Sequence, residues 1–158
     1  MKKIFLTIAT IGLLGTSVYA ADGGKKTEKT ATVSYAVQND FEGNFSDAKD
    51  VTWTITSNTQ KATFLSNGVK KTAFYNMNGE YLGLTQDVAY STIDEKAKKE
   101  IASQYAGYDV NEVIKLETNG ANTNFAETVY FVDLKSSAAE VLVRVNQSND
   151  VFFFQKVK

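Results

Sequence analysis

Few residues in this chain have the types and spacing for chemistry, and those few mostly sit where turns are expected. Ser46-Asp47-Ala48-Lys49 fits Ser-x-x-Lys, in which a lysine one turn along a helix activates a serine nucleophile. That chemistry also needs Ser-Asp-Asn and Lys-Thr-Gly elements, and the chain has neither. The tetrapeptide leads from a helix end into a strand, so a connecting loop is the better reading. Asn76, Asn78 and Glu80 have the outline of a calcium loop, but such a loop needs about five more ligating positions and a bidentate acid at its end. A hairpin turn accounts for them more simply. The remaining acids are scattered over turns and a wet helix face, and no pattern singles out a carboxylate pair of the kind that cleaves glycosides. With no Cys and no His in 158 residues, disulfides, thiolate nucleophiles, Cys/His zinc sites and imidazole-dependent triads are all excluded. The residues predict a protein that is not an enzyme and has no cofactor or metal.

Charge is nearly balanced, at 17 Lys+Arg against 18 Asp+Glu, and removing the first twenty residues leaves a small acidic excess. Nucleic-acid binders carry a basic excess or stripe, so that class is set aside. Lys2 and Lys3, the apolar run Ile4 to Leu14, and Val18-Tyr19-Ala20 make a tripartite signal peptide with cleavage expected after Ala20. The apolar run is too short to span a bilayer, so no stable membrane insertion is expected after cleavage. A periplasmic or secreted bacterial protein follows. Residues 21–32 are polar and read as a flexible leader.

The elements that must position any site fall into two similar halves. Val33, Val37, Phe41 and Phe45 recur at the spacing of one helix face. Sixty residues on, Ile93, Ala97, Ile101 and Tyr105 repeat the stripe, with Thr92 and Glu95 as a capping box and Gly107 as a stop. Asp94–Lys98 and Glu95–Lys99 are spaced for ion pairs on the wet face. Each helix is followed by four strand-like runs: Val51–Thr56, Ala62–Leu65, Val69–Tyr75 and Tyr81–Thr85, then Glu112–Thr118, Phe125–Leu134, Glu140–Val145 and Val151–Val157. Asn67-Gly68 and Asn78-Gly79 are strong hairpin signals, and the turn from Asn76 to Tyr81 aligns with that from Asn146 to Val151. The predicted fold class is α+β, a tandem repeat of a helix followed by a four-stranded antiparallel meander. The first repeat covers residues 33–90 and the second residues 91–158.

A single helix covers one face of such a sheet, and the other face must be paired, wet or used. Side chains alternate along a strand, so Val141, Val143 and Val145 turn inward while Leu142 and Arg144 turn outward. Phe131, Leu142, Arg144, Phe152 and Phe154 are therefore expected to share the face away from the helix. Aromatics flanked by arginine have the composition of binding hot spots, and these five are the candidate partner-binding residues. Tyr75 and Tyr81, with nearby Asn residues, are the alternative, a stacking platform for a small ligand or glycan.

The chain resembles the PepSY-like exported proteins of Bacteroidetes, the group also called β-lactamase-inhibitor-like. The resemblance rests on Phe45-x-x-Ala48-x-x-Val51-x-Trp53, Ala62-x-Phe64, Ala73-x-Tyr75, the Asn78-Gly79-Glu80 turn and the helix bearing Ile93, Ile101 and Tyr105. It runs from about Phe41 to Val157. Members often have proline where this chain has Asp47 and Thr92. The resemblance implies a fold like that of the secreted β-lactamase inhibitor protein, without implying inhibition. The expected function is a non-enzymatic exported binding module, an inhibitor of or adaptor for another envelope or secreted protein.

Overall fold

Alternation along each strand sorts the side chains of this protein between two unlike faces, and the computed structural model shows how they are covered. It describes residues 32–120 and 127–158. The expected signal peptide, the leader up to residue 31, and Phe125 at the start of a predicted strand lie outside them. Helix α1 (Tyr35–Asn44) precedes β1 (Lys49–Ile55), β2 (Thr59–Ser66), β3 (Val69–Asn76) and β4 (Tyr81–Asp87). A 3-10 turn (Tyr90–Thr92) and α2 (Glu95–Gln104) precede β5 (Asp109–Thr118), β6 (Thr128–Lys135), β7 (Glu140–Val145) and β8 (Val151–Lys156). All eight strands form one antiparallel sheet in sequence order. No helix among the described residues is long and apolar enough to cross a membrane.

Helix α1 buries Val37 and Phe41 against Ala62, Phe64, Ala73 and Tyr75. The Phe41 ring meets Trp53 and Phe64 edge-on at 5.2 and 5.0 Å, and burial of such a ring contributes up to about 3 kcal/mol. Helix α2 buries Ala97 and Ile101, and the turn before it Ile93, against Val113, Val132, Leu134 and the valines of β7. Across the β4–β5 junction Leu84 pairs with Glu117 and Gln86 with Lys115. That register carries the face of the first core onto the face of Val113, so both helices lie on the same side of the sheet. The Lys115–Glu117 ion pair, 2.7 Å, stands between the two cores.

Ser34 caps α1, its hydroxyl accepting from Val37 N–H at 3.4 Å. The buried Gln60 locks that cap to the sheet, accepting from Ser34 N–H and donating to the Asn76 carbonyl. The expected capping box of α2 is corrected. Thr92 spends its hydroxyl on the Ala89 carbonyl at 2.7 Å, closing the 3-10 turn, and Asp94 caps the helix by accepting from Lys96 N–H. The expected Asp94–Lys98 and Glu95–Lys99 pairs are replaced by Glu95–Lys98 at 2.8 Å and by Lys96–Asp150 at 2.6 Å, which ties α2 to the β7–β8 turn.

Asn67 and Gly68 both take positive φ, 51° and 76°, as a two-residue turn between twisted strands requires. Asn76 Oδ1 accepts from the N–H groups of Asn78 and Glu80, so the outline of a calcium loop is a turn. Among the described residues no group of three or more acids could hold a metal. Ser46 to Ala48 lie in the α1–β1 connection and Lys49 opens β1, the segment being pinned where Asp47 Oδ2 accepts from Ser66 Oγ at 2.7 Å.

The face away from the helices changes character along the sheet. In the first half Thr52, Thr63, Thr72 and Thr85 stand in register across four strands, and the Thr63 and Thr72 hydroxyls bond at 3.1 Å. At the junction the rank passes to Leu116 and Val129. Gly83 sits at this junction, where a Cβ would lie 2.4 Å from the Glu117 carbonyl oxygen. Gly83→Ala is expected to lower stability by about 1–3 kcal/mol, because the seam must open to admit the methyl group. Gly43→Ala, in α1 with nothing within 4 Å, should raise it by up to about 1 kcal/mol. Thermal denaturation of the two variants beside the parent checks both signs.

Candidate binding face and groove

Four in-register residues, Ile114, Phe131, Arg144 and Phe152, cross β5 to β8 on the face away from the helices. The Arg144 guanidinium carbon lies 5.6 Å from the centre of the Phe152 ring, within cation–π range. Strand β8 carries one extra residue between its pairs with Leu142 and Val143. Phe154 is that extra residue, and its ring meets Phe131 edge-on at 4.9 Å on this same face. The alternation therefore brings four of the five sequence candidates into one group. Leu142 adjoins them, in register between Asp133 and Gln155.

Exposure divides the five. Phe152 is 47% exposed, Arg144 and Phe154 are half-buried, and Phe131 and Leu142 are only 4% and 1% exposed. The expectation that Phe131 and Leu142 are offered to a partner is corrected. They belong to internal strands, and Phe154 folds over Phe131, so they form the floor. The large apolar side chain most exposed on β8 is Phe153, at 61%. It opposes Val143 and so lies on the helix side.

The tyrosine platform is corrected as well. Tyr75 is fully buried in the first core, between Trp53 and Tyr81, and has no ring face open to a ligand. Burial first, then the neighbouring Asp40 carboxylate, drives its hydroxyl far above the ordinary phenol range. Tyr81 is half-buried, its hydroxyl pushed up to about 12 by burial and by Glu117 and Asp40.

A concavity that the sequence did not suggest lies between α1 and β1, an edge of the sheet. Phe41, Phe45, Val51 and Trp53 wall a groove of about 480 Å³, with Gln38, Glu42 and Ser46 as polar lining. Trp53 packs against the first core at this edge. Because no strand pairs beyond β1, it is only half-buried.

Carboxylates flank the aromatic group. Glu112 and Asp133 are cross-strand partners on the same face. Asp133 is buried, with Oδ2 accepting from Asn111 Nδ2 at 2.7 Å and Oδ1 without a partner. Glu140, also buried, lies 3.5 Å from Lys135 Nζ. Burial raises the pKa of Asp133 against the opposing Asn111 hydrogen bond, and burial followed by Asp87 raises that of Glu112.

No family model matches the chain, and no curated protein matches it in sequence. Solved structures do match. A BLIP-like protein from Bacteroides fragilis aligns with a TM-score of 0.66 at 15% identity, over 82% of this chain and 89% of its own. The fold is BLIP-like. A DUF2874 family protein from Bacteroides ovatus gives 0.69 at 18% identity, over 80% and 89% of the two chains. A protein from Bacteroides eggerthii, provisionally described as periplasmic, gives 0.69 at 11% identity, over 80% and 91%.

Buried Asp133 and half-buried Glu112 set a pH dependence. Both have folded pKa values above their ordinary 3.8 and 4.5, so between the ordinary and raised values the folded state binds more protons than the unfolded. Their contribution favours folding most at acidic pH and is lost as pH rises through the raised values. Asp133→Asn should therefore be more stable than the parent at neutral pH and show a flatter profile. Urea denaturation midpoints from mildly acid to neutral solution test this, and an unchanged slope would reject it.

Proposed function

We propose that the protein is a non-enzymatic binding module of the bacterial cell envelope, exported by a signal peptide cleaved after Ala20. Its binding group is Phe152, Arg144 and Phe154 over the floor of Phe131 and Leu142, and its partner is another envelope or secreted protein, which it inhibits or joins to a third. The Arg144–Phe152 stack carries this reading. It places a cation and an aromatic ring together on an accessible surface, and arginine and aromatic side chains are residue types enriched at interfaces. The BLIP-like fold and the provisional periplasmic description of one structural neighbour support an envelope setting. We place the chain with the PepSY-like group and read residues 33–90 and 91–158 as two copies of one unit. In support, α1 and α2 are each 10 residues long. Asn146 also caps its turn by accepting from Asp150 N–H, as Asn76 does from Glu80 N–H.

The groove, with aromatic walls and the polar side chains of Gln38, Glu42 and Ser46, favours a second reading, a site for a small ligand bearing both a ring and polar groups. Trp53 is the single tryptophan of the chain and forms part of the wall, so its emission reports the site directly. Titration with a small aromatic probe should shift Trp53 emission saturably, and Phe45→Ala should weaken the effect. An emission unchanged to saturating probe sinks the ligand reading.

For the leading reading, envelope extract is passed over the immobilised protein and over Phe152→Ala and Arg144→Ala variants. A protein held by the parent and lost by both variants, with their melting temperatures unchanged, is the expected result. Retention that ignores both substitutions, or variants that unfold, would place the binding group elsewhere.

A further inference from the structure

Strand β8 ends the sheet, and its apolar side chains are exposed on both faces at once. Phe152 projects from the open face opposite Arg144, and Phe153 from the helix face opposite Val143. A partner docked on either face reaches only one of these rings. A strand added along the edge reaches both, because it extends the sheet and its two flanking layers together.

The two edges of the sheet are unlike. Strand β1 begins with Lys49 and Asp50, and Asp50 takes a positive φ of 53° where the pairing with β2 is irregular. Charge and irregularity of this kind protect an edge from pairing. Strand β8 is also bulged, but Val151-Phe152-Phe153-Phe154-Gln155 has neither charge nor proline.

We propose that the occupant of this edge is β8 of a second copy, paired antiparallel about a two-fold axis at Phe153. The ends of the strand fit that pairing. Asp150 stands at one end, its carboxylate on the α2 side where Lys96 reaches it. Lys156 stands at the other, opposite Val141, which faces the α2 core. Antiparallel pairing centred on Phe153 sets Asp150 of each copy across from Lys156 of the other, on the same side of the sheet. Phe152 then lies beside Phe154 of the other copy on the open face, and the two Phe153 rings meet on the helix side. The interface is isologous and closes at two copies.

The dimer rests partly on that reading, since it covers Phe152 and Phe154 of the proposed binding group, and goes beyond it at Phe153, which has no part in that group. The test uses the full chain, purified in the form that cells produce. Because the chain has no cysteine, Phe153→Cys introduces a lone thiol at the axis, where facing Cα atoms of an antiparallel pair are within disulfide reach. Mild oxidation should convert most of that variant to a covalent dimer and leave Val51→Cys, on the opposite edge, largely monomeric. Light scattering should give twice the monomer mass for the parent, and Phe153→Lys should raise the dissociation constant at least tenfold while still retaining any envelope partner. A parent that stays monomeric at every concentration, equal cross-linking of the two cysteine variants, or a dimer indifferent to Phe153→Lys would each overturn the proposal. Loss of partner retention by Arg144→Ala, on the internal strand β7, with the dimer intact would instead bear on the binding group alone.

Discussion

The close approach of β4 and β5 at Gly83 is the contact on which the molecule depends. Each half, a ten-residue helix on four strands, packs its helix on a cluster of six to ten buried residues among those described. A core so small contributes little net stability once chain entropy is subtracted. Joining the halves edge to edge satisfies the backbone of both inner strands and gives the sheet one continuous hydrogen-bonded frame. The side chains across that seam are mixed, with Leu84 against Glu117 and Gln86 against Lys115, so the seam relies on backbone proximity more than on apolar area. A residue without a side chain is what permits that proximity.

One-sided cover follows from the same arrangement. Both helices lie on one face, leaving the whole reverse face to its own side chains. The two halves solve this differently. The first carries β-branched hydroxyls that tolerate water, while the second carries Phe, Leu, Val and Arg with buried acids beside them. This division, more than any single residue, is what supports placing the proposed binding group in the second half. Burying Asp133 with one oxygen unpartnered is unfavourable for folding alone, and such costs collect where a surface is shaped for something other than stability.

Much of this was legible in the residues. The period of two over Val141 to Val145 sorted inward from outward side chains, and the four-residue stripe from Val33 to Phe45 marked α1. The Asn-Gly pairs marked their turns. What could not be read depended on neighbours distant in sequence. Thr92 and Glu95 match a capping box as written, and only the bond from Thr92 to Ala89 passes the cap to Asp94. The shared face of Phe131 and Phe152 could be read from their own strands, but the burial of Phe131 could not, since it depends on Phe154. Tyr75 read as an amphipathic surface ring, although its burial is set by α1 and Trp53. The groove beside Trp53 exists because β1 is an edge, which follows from the strand order of the whole sheet.

That strand order has a consequence for how the molecule is made. Each strand hydrogen-bonds only to the strands before and after it in the chain, so no segment waits for a distant partner. Sheets built this way have short loop closures and a low contact order for their class. A chain leaving a ribosome or a membrane pore with its N-terminus first can add strands one at a time, each new hairpin forming on an edge already in place. Assembly then proceeds in the direction of synthesis, from β1 toward β8.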